Sequence, residues 1–178
     1  MNINAIIQQV LAQIDPILTE HESQKIPLLD FLKQRNWLYL ASFFSKKIRE
    51  QTYIVLTKGA IPSFHIPMLP PSANNPEDAI GITLKDTIFI QQKHCADFIV
   101  FHELIHIIQW NALGPEAFVR TYGLYLLLQG YHNHPLEEIA YSWEKRFRET
   151  PPTNFEDIIS SHALLHNERA LKLAEQWM

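Results

Sequence analysis

Apolar residues recur at helical spacing from the start of the chain. Ile6, Val10, Leu11 and Ile14 share a face, and Asp15-Pro16 interrupts or restarts that element. A second apolar run over 27–47 carries Leu28, Leu29, Phe31, Leu32, Trp37, Leu38, Leu40, Phe43 and Phe44, with Asn36 as a break point. The period then shortens. Tyr53-Ile54-Val55-Leu56-Thr57 is β-branched and short, and Lys58-Gly59-Ala60-Ile61-Pro62 turns away from it, which predicts a strand. Phe64-His65-Ile66 is a further strand candidate, followed by a Pro- and Asn-rich stretch over 68–77 with the composition of a flap. Ala79-Ile80-Gly81-Ile82-Thr83-Leu84 and Thr87-Ile88-Phe89-Ile90 flank Lys85-Asp86, as in a hairpin or one bent strand. A small sheet of three or four strands is the sum of these segments.

Helical spacing then returns with clear punctuation. A helix over 96–112 is closed by Gly114, and Pro115 opens another that stops at Gly130. Pro135 opens a third, reaching about residue 148 before Pro151-Pro152. Thr153-Asn154-Phe155-Glu156 has the form of a capping box for a last helical region, which could break near Ser160-Ser161. The expectation is an α+β fold, mostly helical, as a single domain over 1–178. Its helical N-terminal part is 1–50, a small sheet and loop occupy 51–92, and a helical part fills 93–178.

Charge narrows the function classes. Lys+Arg is 15 against 19 Asp+Glu, a net charge of −4, which argues against nucleic acid as a partner because phosphate binding needs a basic surface. The most lipid-like stretch, Leu124-Tyr125-Leu126-Leu127-Leu128, falls far short of the ~20 residues of a spanning helix. The first residues lack the basic n-region of a secretory signal. No membrane association and a cytoplasmic location are therefore expected. A lone Cys95 excludes an internal disulfide framework, and no disulfide-linked partner is expected. Cys95 lies at the start of the 96–112 helix, where a helix dipole would favour its thiolate, but it reads as an ordinary small residue near a cap. Nine histidines accompany that one cysteine, so any metal here would be held by nitrogen and oxygen.

His102-Glu103-Leu104-Ile105-His106 is an H-E-x-x-H sequence. Residues four apart on a helix lie one turn apart on one face, so two imidazoles at this spacing can bind one ion between them. Glu103 lies about 100° round the helix from His102, which brings its carboxylate to a water on the ion rather than to the ion itself. There it can act as general base. Phe98-Ile99-Val100-Phe101 and Ile107-Ile108 enclose the motif in apolar residues, the mark of a buried helix. Three ionisable groups buried there are costly unless something pairs them.

A catalytic zinc site needs a third protein ligand and an open position. Residues 131–141 offer His132, His134, Glu137 and Glu138. Leu136, Ile139, Ala140, Trp143 and Phe147 form the packed stripe of the third helix. Glu137 lies about 100° from the centre of that stripe and Glu138 about 160° away, toward solvent. Glu137 fits best at the edge of the buried face, with His134, His132 and Glu138 as the alternatives. His162-Ala163-Leu164-Leu165-His166 repeats the histidine spacing without the intervening Glu, and reads as a helix surface.

With these stretches in hand, the sequence resembles the zincin metallopeptidases of the gluzincin kind, in which H-E-x-x-H on one helix is completed by a Glu on a later one. More closely, it resembles small, uncharacterised bacterial HExxH-domain proteins. Their pattern is a strand, an H-E-L-V-H-like helix ending in Gln, a Gly-Tyr turn and an N-P-x-E-x-x-A-like helix start. The matching stretches are Ile82 to Ile90, Phe101 to Gln109, Gly130-Tyr131 and His134-Pro135-Leu136-Glu137-Glu138-Ile139-Ala140-Tyr141. They lie within 79–141. The chain has His134 where the pattern tends to Asn, and Ile139 where a second acidic residue is common.

The resemblance implies a zincin-like domain with its sheet packed on the HExxH helix. It implies His102, His106 and Glu137 as zinc ligands and Glu103 as general base. It further implies that the strand before the active helix, with Thr87, Ile88 and Phe89, binds an extended peptide or protein substrate by edge pairing. Tyr131, Tyr141 and His132 are the donors it offers to an oxyanion. The resulting expectation is a zinc-dependent metallopeptidase. An inactive metal-binding or interaction domain on the same fold is the rival, and iron is the alternative metal on the same ligands.

Overall fold

The structure is a computed structural model that describes residues 3–63, 79–129, 134–149 and 156–176. Helix α1 (Ile3–Glu20) buries Ile7, Val10, Ile14 and Leu18, a helical stripe that continues through Pro16 without a break. The expected interruption at Asp15-Pro16 does not occur, since loss of one backbone donor is tolerated where the stripe stays packed. The run expected over 27–47 is divided. Strand β1 (Ile26–Pro27) leads into α2 (Leu28–Gln34), Asn36 takes a left-handed φ of 57°, and a 3-10 segment (Leu38–Phe43) precedes α3 (Lys46–Gln51). Asn tolerates that conformation better than most residues, which is why the chain turns there.

Strands β2 (Tyr53–Thr57), β3 (Gly81–Leu84) and β4 (Thr87–Gln91) complete a four-stranded mixed sheet in the order β1-β2-β4-β3. β2 runs parallel to β4, whereas β3 and β4 form the expected antiparallel hairpin around Lys85, whose φ is 56°. Ile54, Ile88 and Ile90 face a core shared with α2, and Val55 and Phe89 face one shared with α1. Burial on both faces explains why β2 and β4 read as unbroken apolar runs. The segments 64–66 and 68–77, read as a strand candidate and a flap, lie outside the described residues.

The element that carries the motif is α4 (Asp97–Gln129), two helical limbs joined at Gly114 (φ 75°, ψ 165°) with Pro115 opening the second. The first limb packs Val100, Phe101, Leu104, Ile105, Ile107 and Ile108 against the sheet's Ile54, Ile88 and Ile90 face. Helices α5 (Pro135–Glu149) and α6 (Glu156–Gln176) close the domain, with Ala140, Trp143 and Ile159 in the same core. α6 passes through Ser160-Ser161 unbroken, and Thr153 to Phe155 of the capping box lie outside the described residues. The architecture is thus mostly helical α+β. Among the described residues no helix is long and apolar enough to cross a membrane.

Gly114 sits in a backbone region that only glycine adopts readily, and a Cβ there would meet nothing within 4 Å. The cost of a side chain is therefore purely conformational. Gly114→Ala is expected to lower stability by about 1–3 kcal/mol. Urea unfolding would read this as a lower midpoint, and an unchanged midpoint would contradict the strained geometry.

Candidate metal centre

On the first limb of α4, His102, Glu103 and His106 are buried along with their apolar neighbours, at 7%, 6% and 6% exposure. Burying three ionisable groups is unfavourable unless their polar atoms are satisfied, so each bond can be followed in turn. His102 Nδ1 lies 3.1 Å from Glu144 Oε2 on α5, and that carboxylate's other oxygen takes Arg148 Nη2 at 2.8 Å. An ionised carboxylate only accepts, so His102 carries its proton on Nδ1 and presents a bare Nε2.

His106 reaches the same state by another route. Gln109 Nε2 donates to the Leu136 carbonyl at 3.0 Å, which turns Gln109 Oε1 toward His106 Nδ1 at 2.8 Å. Nδ1 must then be the donor, and Nε2 is again left bare. The two Nε2 atoms stand 3.2 Å apart. Glu137 Oε2, from the first turn of α5, lies 3.4 Å from the one and 3.5 Å from the other. Three ligand atoms, all within 4.8 Å of one another, converge on one buried point.

Two lone pairs and a carboxylate oxygen in such contact repel unless positive charge lies between them. A proton on one imidazole or a cation between the three atoms meets that demand. Burial alone would depress His102, but its bonds to Glu137 and Glu144 and the nearby Glu103 charge raise it to about 10. His106 is likewise raised against burial, chiefly by the Glu137 charge. Burial would raise Glu137, yet the two histidines hold it well below the usual carboxylate range. Two imidazole nitrogens and one carboxylate oxygen are the donor set of catalytic zinc, and a divalent cation answers the same electrostatic demand as the proton. The residues fit such an ion.

Glu103 does not join this triangle. Thr83 of β3 donates its hydroxyl to Glu103 Oε2 at 2.6 Å, and the Thr83 carbonyl is held by Trp110 Nε1 at 3.0 Å. Gly81 leaves room for the carboxylate, since a Cβ there would stand 2.5 Å from Glu103 Oε1. Burial pushes the Glu103 carboxyl up, against the pull of both histidines and of the Thr83 bond. A buried carboxyl shifted upward beside two imidazoles has the character of a proton acceptor.

The other residues singled out from sequence are distributed differently. Glu138 is exposed. His134 is buried and spends both nitrogens, with Nε2 donating to the Tyr122 carbonyl at 3.0 Å and Nδ1 accepting from Leu136 N at 3.2 Å. Burial lowers its pKa to about 4, and neither nitrogen is left for a metal. Tyr131 and His132 lie outside the described residues. Tyr141 is half exposed, with its ring 4.6 Å from the His102 ring. Burial pushes the Cys95 thiol up, against the pull of Arg35.

Thr87, Ile88 and Phe89 require correction. They lie in β4, fully buried and paired on both sides, with Tyr53, Ile54 and Val55 on one flank and Leu84, Thr83 and Ile82 on the other. Their strand has no main-chain edge to give a substrate. The terminal strand beside the centre, among the described residues, is β3.

Sequence reasoning missed Gly81, Thr83, Gln109, Tyr122 and Glu144. Two had a local signal. Gln109 stands three residues after His106 and Glu144 seven after Glu137, both spacings that return to the same helix face. Glu144 supplies the outer carboxylate that Ile139 does not. No protein-family model, curated protein or solved structure matches the chain.

Proposed function

We propose that the chain is a zinc-dependent hydrolase acting on peptide bonds, in the manner of the gluzincin-like peptidases it resembles. The observation that carries this reading is the convergence of His102 Nε2, His106 Nε2 and Glu137 Oε2 on one buried point with the Glu103 carboxylate beside it. Zinc, when bound, supplies a Lewis acid that polarises a carbonyl and acidifies water.

The chain's own residues do the rest. With Oε2 engaged by Thr83, Glu103 uses Oε1 to take the proton of the attacking water and then delivers it to the departing amine. Glu144 and Gln109 keep both imidazoles in the tautomer that presents Nε2. An extended substrate pairs along the outer edge of β3, the strand that also holds Glu103, in place of β4. Tyr141, whose ring lies 4.6 Å from the His102 ring, is the donor retained for an oxyanion.

Protein purified without chelator should carry close to one zinc per chain and cleave members of a broad peptide library. A strong chelator should abolish cleavage and added zinc restore it. Cleavage that survives complete removal of metal would overturn the proposal. Full zinc loading with no cleavage at all would favour the inactive metal-binding domain instead.

A further inference from the structure

The second limb of α4 contributes a side chain to the centre that none of the sequence patterns contains. Tyr122 donates its hydroxyl to Glu137 Oε1 at 2.7 Å, while Glu137 Oε2 is the oxygen that faces both histidines. The two oxygens of one carboxylate thus have different occupations. A short phenol–carboxylate bond of this kind is among the stronger hydrogen bonds, and its acceptor Glu137 is buried at 4% exposure.

The tyrosine is itself held in place. Its ring stacks on Phe118 with centroids 5.8 Å apart and lies 4.2 Å from the His134 ring. His134 Nε2 also donates to the Tyr122 main-chain oxygen. His134 immediately precedes α5, and its Nδ1 accepts Leu136 N in the first turn of the helix that carries Glu137. One histidine therefore clamps the limb bearing the tyrosine to the start of the helix bearing the carboxylate. The phenol cannot leave Oε1 by a simple rotation without losing this packing.

From this arrangement we infer that Tyr122 is a positioning residue that restricts Glu137 to a single ligating oxygen and so preserves an open coordination position on the ion. A carboxylate is free to bind a metal through one oxygen or two, and two would raise the coordination number from four to five and crowd the position that substrate or water needs. The phenol settles this choice by engaging Oε1. The inference rests on the metal-centre reading and adds to it the number of atoms that the protein contributes.

Cobalt(II) substitution reads that number directly, because four-coordinate Co(II) absorbs visible light more strongly than the five-coordinate ion. Full-length wild type, Tyr122→Phe and Tyr125→Phe would each be loaded with cobalt and their absorption expressed per bound ion. Phenylalanine keeps the ring packing on Phe118 and His134 and removes only the hydroxyl. Tyr125 also lies by the His134 ring, at 5.9 Å, and serves as the control. The expected result is a drop of about twofold or more in Tyr122→Phe, as Glu137 takes up its second oxygen, with Tyr125→Phe unchanged. A Tyr122→Phe spectrum equal to wild type would overturn the inference and leave the metal centre standing. An equal drop in Tyr125→Phe would also overturn it, by assigning the effect to packing. Wild type that binds no cobalt would remove both this inference and the metal centre beneath it.

Discussion

Glu103→Gln is expected to retain its metal and lose peptide hydrolysis by about 10²–10⁴-fold, the usual contribution of a positioned general base. The substitution is nearly isosteric, and the pocket accommodates it. The Thr83 hydroxyl that donates to Glu103 Oε2 can donate equally to an amide oxygen, and Gly81 leaves space beside the other atom. Glutamine cannot accept and return a proton, so the loss should fall on turnover. Metal content should not change, because the ligand triangle of His102, His106 and Glu137 does not include Glu103. Equal hydrolysis by wild type and Glu103→Gln would show that the measured activity does not pass through this carboxylate.

His102→Ala has the largest expected effect on the centre itself. It removes one of three ligand atoms and leaves Glu144 and Glu137 without the imidazole that both contact, at 3.1 Å and 3.4 Å. Metal should fall to background in elemental analysis. Stripping one partner from a buried ionic group typically costs about 3–5 kcal/mol, so the unfolding midpoint should fall as well. His106→Ala should behave alike, because its Nε2 completes the same triangle. Undiminished metal in either variant would place the ion elsewhere. A loss of metal with unchanged stability would mean that the carboxylates find other partners.

Much of the local order was legible because it depends on short-range chemistry. Gly114-Pro115 divides α4 where a glycine-only conformation meets a residue suited to a helix start. Helical angle alone separated Glu137, buried at 4% exposure, from its exposed neighbour Glu138. What was misread depends on neighbours distant in sequence. The resemblance implies edge pairing at Thr87 to Phe89, but β2 pairs with them in parallel on one flank and β3 takes the other. Pro16 looks like a stop, but a buried stripe on both sides carries the helix through it. Tyr122 meets Glu137 across the kink of α4 at Gly114, and nothing in the spacing of the two residues encodes that contact.

That turn also solves a problem of size. A straight helix of the 33 residues from Asp97 to Gln129 would reach about 50 Å at 1.5 Å per residue. A single compact body of 178 residues would have a radius of gyration of about 16 Å and so measure roughly 40 Å across, less than the length of an unbroken rod. Division at Gly114 yields two limbs that each fit within the domain's width. It lets one continuous stretch of chain reach the centre twice, with His102 and His106 on the first limb and Tyr122 on the second. A side chain at Gly114 would meet nothing within 4 Å, yet the reach of the groups on both limbs depends on the bend there.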